Sequence, residues 1–370
     1  MSPEQIAKIK LFIKGLFPHR YILKREAKYK TFIPTLQKMR KEGMPLIPEE
    51  SSKFDSIISI QGFGYSGSGA VLDLLREYPI QVLGFIDKYQ GSKSDAKTSI
   101  SEIEILRLAG GFFEMEKFLD SDNVFLNTAM LNRMVKLFET SALYSYSNEI
   151  KRYMVSFFNS LLDFGLFDLG LNYYNPYLTR YDEKSTIFYL KKQSVEEFQG
   201  KCRNLLNVIF NRIETDHKIL AVDQLGSDCE FKIERNKKYI PNLKTIMVTR
   251  DPRDLYVWAK HIDCEWIAHD SVENFIRWYE IYYHNVNYDN NGKDYLIVRY
   301  EKLIWDYDHT IARIEKYLGL SAEEHLSKFS CFDPKLSSKY TKLYKKHPEC
   351  AEDIKLIENK LKTYCCSIID

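Results

Sequence analysis

Short apolar runs alternate with longer segments of helical spacing in two separate parts of the chain. Five of the short runs are typical of buried strands, at 56–60, 81–86, 218–222, 244–249 and 295–299. Between them, apolar residues recur every three or four positions, which predicts helices at 70–77, 230–238, 254–261, 272–287 and 310–318. Strands that alternate with helices indicate an α/β fold, with a mainly parallel sheet covered on both faces.

Residues 100–215 interrupt this alternation. Apolar residues with helical spacing predict helices there at 103–119, 131–144, 150–166 and 195–215. The segment is rich in aromatic residues and contains no proline before Pro176. We interpret it as a large helical insertion or cap on an α/β core that is formed by residues 51–99 and 216–370.

The first 50 residues are predicted to form a basic helical leader. Residues 1–30 mix lysine and arginine with large apolar side chains, which is typical of an amphipathic helix and unlike a secretory signal. Gly43, Pro45 and Pro48 then break the helical pattern. The leader either packs on the domain or lies on a membrane surface. Because no apolar run approaches the ~18 residues of a transmembrane helix, we expect a cytoplasmic protein with at most peripheral membrane contact.

The overall charge and the cysteines argue against several classes of protein. With 53 basic and 51 acidic residues the net charge is +2, so no nucleic-acid partner is expected. The seven cysteines are odd in number and lack the paired spacing of a zinc site, so no metal is expected and a reducing compartment fits best. Aromatic residues make up 14% of the chain, which suits stacking on sugar rings and follows equally from an AT-rich genome.

The most distinctive local pattern is the glycine- and serine-rich stretch from Gly62 to Ala70, between the first strand and the first helix of the core. Glycines let successive backbone N–H groups turn towards an anion, and the helix that follows presents its positive end. The residues predicted to bind phosphate or sulfate are Gly64, Tyr65, Ser66, Gly67, Ser68, Gly69 and Ala70. Ser68 and Gly69 stand where a Walker A loop has Lys and Ser or Thr, so a magnesium–ATP site is not expected. The alternative is a glycine turn without a ligand.

A second anchor for an anion follows the strand at 244–249, where the sequence continues Arg-Asp-Pro-Arg-Asp over 250–254. At the carboxyl end of a parallel strand, Arg250 is expected to point into the crevice where ligands bind. A planar guanidinium suits a phosphate group better than an ammonium does. The alternative is that these side chains, Arg253 and Asp254 in particular, pair with one another at the start of a helix.

Together, the two segments resemble the sulfotransferases that use 3′-phosphoadenosine 5′-phosphosulfate (PAPS). In that family a P-loop-like strand, loop and helix holds the 5′-phosphosulfate, and the first arginine of an Arg-Asp-Pro-Arg-Asp segment grips the 3′-phosphate. Residues 295–303 resemble the family's Val-Arg-Tyr-Glu-Asp-Leu strand end, and 317–320 resemble its Phe-Leu-Gly-Leu segment. Residues 332–340 are similar to the basic lid over the nucleotide in bacterial members, which makes Lys339 an expected nucleotide contact.

The matches cover residues 56–87 and 218–345, and three positions within them depart from the family pattern. Tyr65 occupies the position of the basic residue that neutralises charge on the bridging oxygen. Gly69 replaces a hydroxyl residue, and Trp258 stands where a serine contacts the 3′-phosphate. Trp258 is therefore an expected nucleotide contact, and the charge that Tyr65 lacks must come from another basic residue if the chain is an enzyme.

The catalytic candidates lie where predicted strands end. Asp87 and Lys88 follow the second strand, where relatives often carry their base, and Asp223 follows the strand at 218–222. Carboxyl ends of parallel strands open onto one crevice. We predict Asp87 or Asp223 as the base for an acceptor hydroxyl, and Lys88 or Lys339 as the cation that replaces the one missing at position 65.

The resemblance implies a P-loop-like α/β fold, with a mainly parallel sheet flanked by helices and a large helical insertion. The implied function is transfer of a sulfuryl group from PAPS to a hydroxyl of a glycan, glycolipid or small metabolite, with PAP as product and without a metal. The insertion is expected to shape the acceptor site. One alternative is a nucleotide-binding protein of the same fold without transfer activity; an ATP-dependent small-molecule kinase ranks third, because the Walker lysine is absent.

Overall fold

The structure is a computed structural model that describes most of the α/β core and part of the insertion. It describes residues 32–62, 64–83, 112–119, 147–166, 187–225, 236–264, 267–284 and 295–369, with the single residues 123, 127, 130, 131, 134 and 135. Asp87 and Lys88 lie outside these residues. The leader before residue 32 and most of the helices predicted at 131–144 and 230–238 also lie outside them.

The described residues contain the following elements. The strands are β1 (Ser56–Gln61), β2 (Gln81–Leu83), β3 (Leu162–Leu166), β4 (Ile187–Leu190), β5 (Ile219–Asp223), β6 (Leu243–Thr249) and β7 (Leu296–Arg299). The α-helices are α1 (Phe32–Glu42), α2 (Ser68–Leu75), α3 (Phe112–Glu116), α4 (Asn148–Leu161), α5 (Val195–Asn211), α6 (Pro252–His261), α7 (Val272–Tyr283), α8 (Tyr300–Trp305), α9 (Tyr307–Leu318), α10 (Pro334–Ser337), α11 (Leu343–Lys346) and α12 (Ala351–Lys360).

The chain forms two compact units. One, the insertion unit, consists of residues 1–48 and 114–198, and the other, the sheet unit, consists of residues 49–113 and 199–370. Each unit has its own sheet in the described part of the chain: β3 and β4 pair in the insertion unit, and the other five strands pair in the sheet unit.

The sheet unit is built on strands in the order β2-β5-β1-β6-β7, and every pair of neighbours among these described strands is parallel. The central strand β1 pairs Ile58 with Ala221 of β5 on one side and with Lys244 of β6 on the other. The carboxyl ends of the strands therefore share one edge, at which ligands bind in such sheets. The predicted α/β fold with a mainly parallel sheet is confirmed.

Apolar side chains pack the helices of the sheet unit into two clusters. The first joins β1, β6 and β7 to α2, α8 and α9, through residues such as Leu72 and Ile314. The second joins α6, α7 and α12 through Leu255, Phe275 and Ile357. Full burial of one such side chain stabilises the fold by about 1.5–3 kcal/mol, so the clusters hold the strand ends in a fixed arrangement.

Helix α9 ends at Leu318, which is also the last residue of the helix predicted at 310–318. Gly319 adopts a left-handed φ of 78°, and its N–H donates to the carbonyl of Glu315 at 2.8 Å. Glycine takes up this conformation without the strain that a Cβ brings. The helix therefore ends where the sequence predicted.

The helix predicted over 150–166 is wrong in its last part, because α4 ends at Leu161. Strand β3 follows at once and runs antiparallel to β4, with the rings of Phe164 and Tyr189 stacked at 4.3 Å between centroids. Pairing with a distant segment supplies the backbone hydrogen bonds that a longer helix would have made. Local apolar spacing carries no information about such a partner.

A buried carboxylate anchors the segment that precedes α10. Glu77, just after α2, accepts the backbone N–H groups of Cys331 at 2.9 Å and Phe332 at 2.8 Å. Its other oxygen lies 2.6 Å from Nε2 of His325, and both side chains are buried. The carboxylate thus ties the first helix of the sheet unit to the chain that leads into α10.

The second nitrogen of His325 faces Tyr78. The Tyr78 hydroxyl donates to Oε1 of Glu315 at 2.8 Å and lies 3.1 Å from Nδ1 of His325. His325 thus lies between the carboxylate of Glu77 and the hydroxyl of Tyr78, and its ring stacks on that of Tyr78 at 4.4 Å between centroids. Burial, and then the hydrogen bond to Glu315, raise the pKa of Tyr78 and keep its hydroxyl protonated.

We expect Glu77→Gln to lower the free energy of unfolding by about 1.5–3 kcal/mol, because a neutral amide replaces a buried carboxylate that accepts two backbone N–H groups and faces His325. Denaturant unfolding at constant pH measures the change. The matched control is Glu323→Gln, which alters an exposed glutamate of the same segment and should change stability by less than about 0.5 kcal/mol. Equal stability of the two variants would show that the Glu77 carboxylate does not anchor this segment.

Candidate functional site

The loop between β1 and α2 has a conformation that its glycines make possible. Gly67 has a left-handed φ of 98°, and a Cβ there would overlap the ring of Tyr300. A Cβ on Gly62 would overlap the hydroxyl of Ser66 and lie 2.8 Å from a backbone oxygen at the end of β6. Tyr65 is left-handed as well, with φ 63°, a costly conformation for a bulky residue. Steric contacts thus define the shape of the loop.

The first turn of α2 has open space beside its backbone, unlike the crowded loop before it. A Cβ on Gly69 would have no atom within 4 Å, so this position faces open space. The Ala70 N–H donates to the carbonyl of Gly67 at 3.0 Å, so one of the amides predicted to face an anion has a backbone partner. Ser68 is half-buried, and its hydroxyl accepts a bond of 3.4 Å from Nε2 of Gln224.

Gln224 is a site residue that the motifs did not indicate. It follows β5 in a left-handed conformation, φ 53°, and its N–H donates to the carbonyl of Ile60 at 2.8 Å. Its side chain is buried and reaches the start of α2. Asp223, the predicted base at the end of β5, is half-buried and lies opposite Ile60 in the register of β1. Asp223 therefore lies at the edge of the sheet from which the loop between β1 and α2 also starts.

Arg250, at the end of β6, connects the loop to the C-terminal segment. Its guanidinium donates to the carbonyl of Tyr65 at 3.0 Å and to the carbonyl of Tyr340 at 2.6 Å. The rings of Trp258 and Tyr300 lie 5.8 Å and 5.4 Å from its central carbon, within the range of cation–π attraction. The side chain is buried, and its Nε has no hydrogen-bond partner among the described residues.

Aromatic rings surround the guanidinium of Arg250. The centroid of Trp258 lies 6.2 Å from that of Tyr65 and 5.7 Å from that of Tyr340, in an edge-on arrangement with Tyr340. Nζ of Lys339 lies 4.9 Å above the Tyr340 ring. The predicted nucleotide contacts Tyr65, Trp258, Lys339 and Arg250 are thus neighbours, although they come from three distant parts of the sequence.

The other charged residues of the Arg-Asp-Pro-Arg-Asp segment have structural roles. Arg253 donates to both oxygens of Asp251, at 3.0 and 2.8 Å, and to Glu358 at 2.9 Å. Asp254 does not pair with Arg253, because its carboxylate accepts the N–H groups of Lys342 at 2.8 Å and Leu343 at 2.7 Å. Asp254 thereby holds the start of α11.

A third acidic side chain lies under this segment. Glu301 is fully buried, and its carboxylate accepts the N–H of Asp251 at 2.9 Å. Burial, and then the charge of Asp251, raise the pKa of Glu301 to about 8. Burial and the same neighbour raise the pKa of Asp254 to about 6, against the lowering effect of Arg250. Glu301 is therefore mainly protonated at neutral pH.

Several buried polar atoms at the ligand-binding edge of the sheet lack a hydrogen-bond partner in the described part of the chain. They are Oε1 of Gln61, Oγ of Ser66, Oε1 of Gln224, Oγ1 of Thr249, Nε of Arg250 and Nε1 of Trp258. Buried polar groups in folded proteins are nearly always hydrogen-bonded. Their concentration at the ends of β1, β5 and β6, and in the elements that follow, identifies this edge as the candidate site for a polar ligand.

Among the solved structures that resemble this chain are sulfotransferases. They include the sulfotransferase domain of the olefin synthase from Synechococcus PCC 7002, with 12% identity, 80% of this chain and 90% of that chain covered, and a TM-score of 0.35. Sulfotransferase STF9 from Mycobacterium avium has 11% identity, with 83% of this chain and 77% of that chain covered, and a TM-score of 0.31. Sulfotransferase STF1 from Mycobacterium tuberculosis H37Rv has 12% identity, with 78% of this chain and 77% of that chain covered, and a TM-score of 0.33. The resemblance is distant.

Comparison with protein-family models and with curated proteins gives no match. Within the described ranges, no three His, Cys, Asp or Glu side chains are grouped so that they could hold a metal ion. No helix in those ranges is both long and apolar enough to cross a bilayer. The predicted base Asp87 and cation Lys88 fall outside the described residues, so their roles stay predictions.

We expect opposite effects from alanine at two glycines of the loop. Gly67→Ala should lower the free energy of unfolding by about 1–2 kcal/mol or more, because its backbone is left-handed and the ring of Tyr300 must move. Gly69→Ala should keep or raise stability, by up to about 1 kcal/mol, since a helical glycine in open space is replaced. Denaturant unfolding of the matched pair tests this, and similar losses for both variants would contradict the described loop.

Glu301→Gln should change how stability depends on pH. The folded state holds a proton on Glu301 up to about pH 8, whereas an ordinary glutamate loses it near 4.5. The unfolded chain therefore binds fewer protons between these values, and the free energy of unfolding falls as pH rises through this window. Glutamine keeps an oxygen for the N–H of Asp251 and cannot ionise. In the variant, the free energy of unfolding should therefore fall less steeply as pH rises. Denaturant unfolding curves from pH 5 to about 8 measure this pH dependence, and an unchanged dependence in the variant would refute the raised pKa.

Proposed function

We propose that this chain is a sulfotransferase that moves a sulfuryl group from PAPS to a hydroxyl of a glycan, glycolipid or small metabolite. The observation that carries the proposal is the meeting of the glycine loop, Arg250 and the C-terminal segment at one edge of the sheet. Buried polar atoms without partners are concentrated at the same edge. The type of reaction is proposed from the resemblance of the motifs to the sulfotransferase family. The presence of two anion anchors, the glycine loop and Arg250, supports a ligand that carries two separate anionic groups.

The residues at this edge fit such a nucleotide in two places. Around the loop, Ser66, Ser68 and the start of α2 would hold the 5′-phosphosulfate through hydroxyls and backbone N–H groups. Arg250 and Trp258 each have a buried N–H without a partner in the described residues, which suits the 3′-phosphate. The indole N–H would take the place of the family's serine hydroxyl. When bound, PAPS would supply the sulfuryl group.

The cation that position 65 lacks must come from another basic residue near the loop. The guanidinium of Arg250 donates to the Tyr65 carbonyl, so Arg250 lies beside the loop, where we propose that it recognises the 3′-phosphate. Lys339, whose Nζ lies 4.9 Å from the Tyr340 ring, is the proposed replacement cation among the described residues. Asp223 is the proposed base among the described residues, and Asp87 with Lys88 remains the alternative pair.

The acceptor is proposed to be a carbohydrate or another small hydroxyl compound, with no nucleic-acid partner. Residues 100–215 are proposed to form the acceptor-specific cap, and the N-terminal helix predicted within residues 1–30 to make peripheral membrane contact. The uncharged and exposed Tyr65 favours one second candidate, a nucleotide-binding protein of the same fold without transfer activity. Both candidates share the nucleotide site and differ in turnover.

We expect Arg250→Ala to weaken PAP binding by about 1.5–3 kcal/mol, because charge-assisted hydrogen bonds to a phosphate are lost. Binding of AMP, which lacks the 3′-phosphate, should change much less. Calorimetry in EDTA measures both ligands. Arg277→Ala, which removes an exposed arginine of α7, is the matched control and should leave PAP binding unchanged.

Equal losses for PAP and AMP would show that Arg250 does not recognise the 3′-phosphate. A strict requirement for magnesium together with a preference for ATP would overturn the proposal in favour of a kinase. Transfer from sulfur-labelled PAPS to a panel of sugars, glycolipids and phenols then separates the two remaining candidates. PAP binding without transfer to any acceptor would support the non-catalytic protein.

A further inference from the structure

Exposed apolar side chains are concentrated near the C-terminal segment of the sheet unit. Ten large hydrophobic side chains are exposed in the described residues, and five of them lie within positions 305–340: Trp305, Leu326, Phe329, Leu336 and Tyr340. Leu326 is 76% exposed and Leu336 is 70% exposed. Scattered single apolar residues are normal on a surface, whereas a concentration of them indicates a binding surface. We call these five residues the C-terminal apolar surface.

Direct contacts connect the parts of this surface around α8 and α9. Nε1 of Trp305 donates to the Thr341 hydroxyl at 3.0 Å, and Nζ of Lys342 lies 4.7 Å from the Trp305 ring. Two residues after Trp305, the ring of Tyr307 lies 5.3 Å from that of Phe329. Aromatic side chains thus extend from Tyr340 and its neighbours, through the junction of α8 and α9, to Phe329.

The same segment carries a one-sided charge. Residues 326–346 contain Asp333 as their single acidic residue. Their six lysines are Lys328, Lys335, Lys339, Lys342, Lys345 and Lys346. Asp333 is occupied as a helix cap, since its carboxylate accepts the N–H of Lys335 at 2.8 Å. Nζ of Lys328 lies 5.1 Å from the ring of Phe329 and 3.2 Å from Oδ1 of Asp308, so its charge is paired. The other five lysines, from 335 to 346, give the part of the surface around Leu336 and Tyr340 an excess of positive charge.

Backbone strain is found within the surface as well. Phe329 has a left-handed φ of 66° and its ring is 47% exposed. A bulky side chain in this conformation costs free energy, and the ring remains half exposed although it packs against Tyr307. Strained residues of this kind cluster where proteins contact ligands.

We infer that the C-terminal apolar surface binds the surface of an anionic lipid bilayer. Lysines are attracted to the negative headgroups, while tryptophan, tyrosine and phenylalanine rings and the leucine tips enter the interfacial layer. A bilayer accepts protruding side chains from short helices and loops without a complementary groove, and charge complementarity selects anionic lipid. This surface would place the chain beside acceptors embedded in a membrane, but the inference stands independently of the proposed transferase activity.

The test is sedimentation of the full chain with vesicles of phosphatidylcholine alone or mixed with phosphatidylserine. We expect binding to the mixed vesicles, and weaker binding as salt is raised. Leu326→Ser and Leu336→Ser should each weaken binding about tenfold. Lys335→Glu with Lys345→Glu should weaken it at least about fivefold per lysine. The matched controls are Ile281→Ser, at an exposed apolar residue of α7, and Lys362→Glu, at an exposed lysine after α12; both should bind like the original chain.

Several outcomes would overturn the inference. No binding to the mixed vesicles, or equal binding to vesicles without phosphatidylserine, would remove the anionic bilayer as the partner. Binding that is unchanged in the leucine and lysine variants would assign membrane contact to another part of the chain. Sedimentation-velocity measurements on the same variants test whether a second copy covers the surface, and loss of a dimer in the leucine variants would replace the bilayer with that copy.

Discussion

The guanidinium of Arg250 is the contact on which the rest of the candidate site depends. It joins the carbonyl of Tyr65, in the loop after β1, to the carbonyl of Tyr340, in the segment before α11. Two aromatic rings, Trp258 and Tyr300, lie beside its charge. A single buried cation therefore positions both the loop between β1 and α2 and the C-terminal segment, and it still has a donor without a partner among the described residues.

The charged residues that follow Arg250 explain why this arrangement is rigid. Asp251 and Arg253 form a buried ion pair, and Asp254 accepts backbone N–H groups at the start of α11. Glu301 supports the same turn from below through the N–H of Asp251. Breaking one partner of a buried pair costs far more than a surface ion pair contributes. The motif thus consists of Arg250, which joins two distant segments, and three residues that fix its surroundings.

The loop between β1 and α2 is held in its shape by steric contacts and by Arg250. Gly62 and Gly67 are required by close contacts, and Tyr65 takes a left-handed backbone that brings its carbonyl to Arg250. Electrostatic interactions are stronger in a buried environment than in water. The buried charge of Arg250 therefore acts on this loop more strongly than an exposed charge would.

The sequence by itself determined the parallel sheet, the glycine loop and the end of α9 at Gly319, because each depends on local periodicity or on a backbone that glycine favours. It also placed Arg250 at a strand end. Only the tertiary structure decided which residues meet there, including Gln224 and the carbonyl of Tyr340, and only it showed that β3 follows α4. The physical reason is that strand pairing and buried polar contacts join residues far apart in the chain, and local spacing contains no record of the partner.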